Sequence, residues 1–222
     1  MTLRDPAGDG DAYGGAARDG RGDALAVGSV LAWAAGAAVA GRHGVWLGLG
    51  GVAVACAIVL LALDGAHLVP RMRPTGPQLL LGLAVGGAMA AATHVFYPIA
   101  VRTLPAIAGE TTRLYVAFTA LSPALSALAL VPVVVGEELV WRGVVYAALR
   151  RRVGPVAAVI AGAILYACAH APVGSALLVL TALACGLVWG WLRARTGGLA
   201  ASLACHVVWD AIVLLAFPLA PH

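Results

Sequence analysis

The sequence predicts an all-α protein, a polytopic transmembrane bundle of seven to eight helices, and three observations support this prediction. The 222 residues are 62% hydrophobic, and their mean hydropathy is +0.94. Only 11% of them are charged, whereas a soluble domain carries about 25%. The arginines lie at the ends of long apolar stretches. Backbone groups in lipid need partners within their own segment, so such stretches cross a membrane as helices.

Seven apolar stretches carry no charged side chain. They span residues 24–41, 45–63, 78–99, 114–135, 155–169, 175–192 and 199–209. A membrane-crossing helix needs about 20 residues, and somewhat fewer in a tight bundle. The sequence does not decide how often residues 114–149 cross the membrane. They could cross once, as a helix bent by Pro123 and Pro132, or they could cross twice. A single crossing gives seven spans and is slightly favoured; a double crossing gives eight.

The net charge of +4 comes from arginine, because the sequence contains no lysine. The arginines cluster at Arg71 and Arg73, at Arg150–Arg152, and at Arg193 and Arg195. This pattern follows the positive-inside rule rather than a phosphate-binding patch, so no nucleic-acid partner is expected. If the last two clusters share one membrane face, residues 155–169 and 175–192 form a helical hairpin. With seven spans, all these clusters lie on the cytoplasmic side.

Composition divides the chain into three parts. Residues 1–23 are rich in Gly, Asp and Arg, and we expect them to form a disordered polar tail. Residues 24–113 are expected to form N-terminal transmembrane helices with their polar residues mainly in loops. Residues 114–217 are expected to form a catalytic transmembrane core, because every acidic side chain after position 113 lies in or beside an apolar helix.

The segment VVVGEELVWRG, residues 133–143, places two glutamates and an arginine in an apolar helix. Charge inside a membrane is costly, so such side chains face a cavity or find partners. Glu138 and Arg142 are four residues apart on one helix face and can pair. Glu137 points about 100° away, and its i+4 neighbour is Trp141. Glu137 therefore needs a partner from another helix, or it holds a proton.

Two later helices carry candidate partners. His170 ends LYACAHAP, with Tyr166 one turn earlier on the same face, and LACHVVWDA places His206 and Asp210 four residues apart. Counted along the helices from the arginine clusters, Glu137, His170 and His206 lie roughly 20, 27 and 17 Å from one interface. Three helices can therefore bring these side chains together in one polar site.

Such a site could act in two ways. Glu137 could be a general base that activates water, while the histidines position the water or stabilise an oxyanion. Alternatively, Glu137, His170 and His206 could bind a divalent metal such as zinc with one open position. No other cofactor is expected. The motifs HExxH and GxSxG are absent, which excludes the enzymes that those motifs define.

Three motifs resemble those of the CPBP intramembrane protease family, which includes type 2 CAAX prenyl endopeptidases, bacteriocin-processing proteins and Abi-like proteins. EELVWR, at residues 137–142, is similar to EExxxR. YACAH, at 166–170, is similar to FxxxH with tyrosine for phenylalanine. HVVWD, at 206–210, is similar to HxxxN with aspartate for asparagine. The motifs occur in the family's order, and the resemblance covers roughly residues 114–214.

The resemblance implies an integral, multi-pass endopeptidase in the membrane of a bacterial cell. Its expected partners are the lipid bilayer and a peptide or lipid-anchored protein substrate, such as a prenylated CAAX protein or a leader peptide. Family members have been described both as metalloproteases and as glutamate proteases, and the sequence leaves both open. The competing interpretation is a non-catalytic scaffold or chaperone, or a proton-coupled carrier that uses the same Glu/His cluster.

The resemblance also implies a role for each candidate residue. An ionised aspartate cannot donate a hydrogen bond to an oxyanion, so Asp210 either holds a proton or orients His206. By the resemblance, Glu137 is the base that activates water with help from His170. Glu138 pairs with Arg142 and holds the helix. His206 and Asp210 lie at the oxyanion site.

Overall fold

The computed structural model describes residues 16–219 as a bundle of helices. The α-helices are α1 (Ala16–His43), α2 (Gly51–Met72), α3 (Gly76–Thr103), α4 (Ala106–Phe118), α5 (Pro123–Glu138), α6 (Tyr146–Val153), α7 (Pro155–His170), α8 (Ala176–Thr196) and α9 (Ala200–Asp210). Three π-helical segments precede α2, join α5 to α6 and extend α9; they are Trp46–Gly50, Leu139–Val145 and Ala211–Ala216. Because α5 and α6 are continuous, the described part contains eight helices.

Six helices among the described residues are long and apolar enough to cross a membrane. They are Gly20–His43, Trp46–Met72, Gly76–Thr103, Pro123–Val153, Pro155–Val173 and Ala176–Thr196, and the shorter apolar helix Ala200–Ala216 follows them. The predicted all-α, polytopic bundle is therefore confirmed. In residues 114–149, for which one or two crossings were possible, α4 ends at Phe118 and one long helix starts at Pro123. This arrangement fits a single crossing.

The first helix begins earlier than the sequence predicts. Residues 16–23 are part of α1, although we expected them to be a disordered tail; residues 1–15 lie outside the described part. Asp23 supplies a physical reason, since its two carboxylate oxygens lie 2.7 Å from Arg151 and 2.5 Å from Arg152. These contacts with the end of α6 are not visible in local composition.

The end of α2 that carries Arg71 lies next to the start of α9. Arg71 accepts a 2.7 Å hydrogen bond at its carbonyl oxygen from the backbone N–H of Leu199, which joins the end of α2 to the start of α9. Helices α7 and α8 form the predicted hairpin and pack closely, because Gly186 and Gly190 lie against residues of α7. Small residues at such positions let helix backbones approach in a membrane.

Glycines also bring the two halves of the chain together. A Cβ atom added at Gly136 of α5 would collide with the carbonyl oxygen of Ala53 in α2. Gly82 and Gly86 of α3 are similarly close to the backbone of α9. Helices α3 and α9 pack against each other, and α9 also contacts α5. The end of α9 is thereby placed beside the two glutamates of α5.

Candidate active site

The central element is the junction of α5 with the π-helical segment Leu139–Val145. Glu137 and Glu138 end α5, and Arg142 lies within the π-helical turn. All three residues are buried. The Arg142 Nη1 atom lies 3.4 Å from Glu138 Oε1, which is the pairing that the i+4 spacing predicts. Single π-helical turns occur frequently at functional sites.

His206 of α9 lies among three carboxylates. Its Nδ1 atom lies 3.0 Å from Glu138 Oε1, and its Nε2 atom lies 3.4 Å from Asp210 Oδ2 and 3.9 Å from Glu137 Oε2. A carboxylate that holds no proton only accepts, so Nδ1 donates to Glu138. The ring stacks on Trp189, with 3.6 Å between centroids. His206 is therefore fixed in a plane that directs Nε2 towards Glu137 and Asp210.

Glu137 contacts Tyr166, a residue that was not predicted to belong to the site. The Tyr166 hydroxyl donates a 2.5 Å hydrogen bond to Glu137 Oε2. The sequence did place Tyr166 on the same face of α7 as His170, and that was the available signal. Its ring packs against Trp141 and His170, at centroid distances of 5.1 and 4.5 Å. The expected link from Glu137 to His170 thus runs, in the described structure, through Tyr166.

Both ring nitrogens of His170 are engaged by protein groups. Trp33 of α1 donates to His170 Nε2 at 3.3 Å, and His170 Nδ1 lies 2.8 Å from the carbonyl oxygen of Tyr166. Because an indole only donates and a carbonyl only accepts, Nδ1 carries the proton and Nε2 the lone pair. Trp33 is fully buried in the apolar helix α1, 137 residues before His170. No pattern in its local sequence predicts the contact.

The described residues do not form the zinc site that the sequence left open. Among residues 16–219, no three His, Cys, Asp or Glu side chains are arranged to hold one metal ion together. The N–H of Trp33 points at the lone pair of His170 Nε2, so a cation would bind there only by displacing this 3.3 Å contact. In the described structure, Glu137, His170 and His206 are therefore not gathered around one metal position, and zinc binding stays a prediction.

A cavity of about 350 Å³ opens beside these side chains. One wall is polar and contains Glu137, Tyr166, His170, His206 and Asp210. The remaining walls are largely apolar and aromatic, and α3, α4 and α8 contribute to them. The cavity is therefore an apolar chamber with carboxylates and imidazoles gathered on one side, and both halves of the chain enclose it.

Comparison with known proteins identifies the segment that carries this site. A family model described as type II CAAX prenyl endopeptidase Rce1-like matches residues 118–212. This range includes Glu137, Glu138, Arg142, His170, His206 and Asp210. Searches of curated proteins and of solved structures gave no significant match. Residues 118–212 thus match an Rce1-like family model, and the resemblance predicted from the three motifs is confirmed.

Proposed function

We propose that the protein is a membrane endopeptidase in which Glu137 activates water to hydrolyse a peptide bond of a membrane-associated substrate. The observation that carries the proposal is the position of Glu137. Its carboxylate lines the cavity, whereas the neighbouring Glu138 is held by Arg142 and His206. The apolar walls favour a substrate with an apolar or lipid-modified segment, such as a prenylated CAAX tail; a leader peptide is the other candidate.

The proposed reaction consumes one water molecule and leaves nothing bound to the protein. Glu137 takes a proton from water while the water oxygen bonds to the carbonyl carbon. The carbonyl oxygen becomes an oxyanion, to which His206 donates a hydrogen bond from a protonated Nε2. The C–N bond then breaks, and the leaving amine takes the proton from Glu137. The products are a carboxylic acid and an amine.

Two neighbouring side chains assist in this proposal. Asp210 lies 3.4 Å from His206 Nε2 and orients the ring, which supports the second of the two roles open to it. His170 orients the water by accepting a hydrogen bond at Nε2. The bond from Trp33 to that atom is 3.3 Å long, beyond the usual length for an N–H donor, so water can compete for the lone pair.

The test is cleavage of a quenched fluorescent peptide by purified protein in proteoliposomes, with and without a farnesyl group on the peptide. We expect the wild type to cleave the lipidated peptide and Glu137→Gln to lower kcat roughly 10²- to 10⁴-fold, the usual contribution of a general base. Asp64→Asn is the matched control, because Asp64 lies on α2 and pairs with His67. This variant should cleave like the wild type.

Two outcomes would contradict the proposal. Cleavage that survives Glu137→Gln would exclude Glu137 as the base. A folded wild type that cleaves none of the peptides would favour the scaffold or carrier interpretation. A parallel assay with chelator and metal restitution separates metal-dependent from metal-free hydrolysis. We expect turnover to survive chelation, because Glu137, His170 and His206 are not gathered around one metal position in the described structure.

A further inference from the structure

Tyr166 occupies the position at which the FxxxH motif has phenylalanine, and it provides a direct hydrogen bond to Glu137. The 2.5 Å separation between its hydroxyl and Glu137 Oε2 is typical of an O–H donor and an ionised carboxylate. Such charge-assisted bonds are roughly twice as strong as neutral ones. A phenylalanine ring would leave Oε2 without this donor.

The surroundings of Tyr166 restrict where its hydroxyl can point. The residue is buried, and Trp141 and His170 pack edge-on against its ring. The Arg142 guanidinium carbon lies 4.7 Å from the ring centroid on its face. With the ring enclosed in this way, the hydroxyl has little freedom to exchange Glu137 for another acceptor.

Tyr166 also connects the two groups that handle water in the proposed reaction. Its side chain holds Glu137, and its backbone carbonyl oxygen accepts the Nδ1–H of His170 at 2.8 Å. Removing only the hydroxyl would release Glu137 and keep the contact with His170. One substitution that removes the hydroxyl can therefore test the contact with Glu137 without changing the contact with His170.

We propose that Tyr166 is a positioning residue for Glu137. It fixes Oε2, so that the second carboxylate oxygen, Oε1, is the one that meets the reacting water. The inference rests on the proposed function, since it requires Glu137 to be the base. Tyr166 does not exchange a proton with the substrate.

The test is Tyr166→Phe, which restores the ring of the family motif and keeps the backbone contact. We expect kcat to fall roughly 10- to 100-fold at unchanged KM, the loss expected for one hydrogen bond to a charged group. Tyr146→Phe is the matched control, because Tyr146 is an equally buried tyrosine of α6 outside the cavity. Thermal unfolding of both variants checks that each is folded.

A second measurement tests the contact without turnover. An infrared difference spectrum between the wild type and Tyr166→Phe should show a shifted carboxylate band, and the shift should vanish when both proteins also carry Glu137→Gln. Absence of the shift overturns the inference, as does unchanged kcat or a rise in KM alone. A shifted band in a protein that cleaves nothing would reject the proposed function and leave the contact established.

Discussion

The two halves of the chain treat buried charge differently. In the segment that matches the Rce1-like family model, Glu138 and Arg142 meet at 3.4 Å, and their side chains are only 0% and 3% exposed. In α2, Asp64 and His67 are closer, at 2.7 Å, but the His67 side chain is 37% exposed. Water can therefore reach His67 and take the place of Asp64 as its partner, whereas it cannot reach Glu138 and Arg142. We therefore expect the contact between Asp64 and His67 to contribute less to stability than the buried pair of Glu138 and Arg142.

The largest effect that tests this comparison is expected from Arg142→Met. Loss of the guanidinium leaves Glu138 buried with an uncompensated charge, and removing one partner of a buried pair costs about 3–5 kcal/mol of unfolding free energy. Asp64→Asn should cost about 1 kcal/mol or less, because exposed pairs contribute little. Denaturant unfolding in detergent measures both.

The double variant Glu138→Gln with Arg142→Met tests whether the buried charge of Glu138 causes the loss of stability. If the loss in Arg142→Met comes from the stranded charge, neutralising Glu138 as well should recover part of the stability. Equal losses for Arg142→Met and Asp64→Asn would show that the two halves do not differ in this respect.

A smaller effect is expected where the halves touch, at Gly136. A methyl group added at Gly136 would collide with the backbone carbonyl of Ala53, which cannot rotate away, so Gly136→Ala must push α2 and α5 apart. We expect a loss of about 1–3 kcal/mol, typical of overpacking, in thermal or denaturant unfolding. Gly87→Ala is the control, since no atom lies within 4 Å of an added Cβ there. Similar stability of the two variants would refute the close contact.

The smallest effect is expected from Trp33→Phe, which tests whether the N-terminal half contributes to the chemistry. Phenylalanine keeps an aromatic ring beside Trp141 and removes the N–H that His170 accepts. One neutral hydrogen bond is worth about 1 kcal/mol, and its loss frees the His170 lone pair for the water, so kcat should rise by up to about fivefold. Trp191→Phe, at an exposed position on α8, should leave kcat unchanged. An unaffected kcat in Trp33→Phe would reduce Trp33 to a packing role.

Local spacing explains what could be predicted from the sequence. Apolar stretches bounded by arginine predict the helices and the hairpin of α7 with α8. The i+4 relations predict that Glu138 meets Arg142 and that His206 and Asp210 share a face. Depth along the helices predicts that Glu137 lies near His206, and the two are 3.9 Å apart. Each of these predictions depends only on positions within one or two helices.

What the sequence could not provide depends on how helices pack. Tyr166 was visible on the face of His170, but its contact with Glu137 follows from the docking of α7 on the α5 junction. Trp33 is 137 residues from His170 and lies in a helix with no polar pattern. A metal site was left open because depth alone does not reveal which ring nitrogens the protein already engages. The early start of α1 likewise depends on arginines far along the chain.

The most direct test of this account compares two adjacent, matched substitutions, Glu137→Gln and Glu138→Gln. We predict that Glu137→Gln loses turnover while its unfolding temperature stays close to that of the wild type, because the glutamine oxygen still accepts a hydrogen bond from Tyr166. Glu138→Gln should lower the unfolding temperature, because Arg142 and His206 lose their common partner. Wild-type turnover in Glu137→Gln, or the same loss of stability in both variants, would contradict the division of roles between the two glutamates.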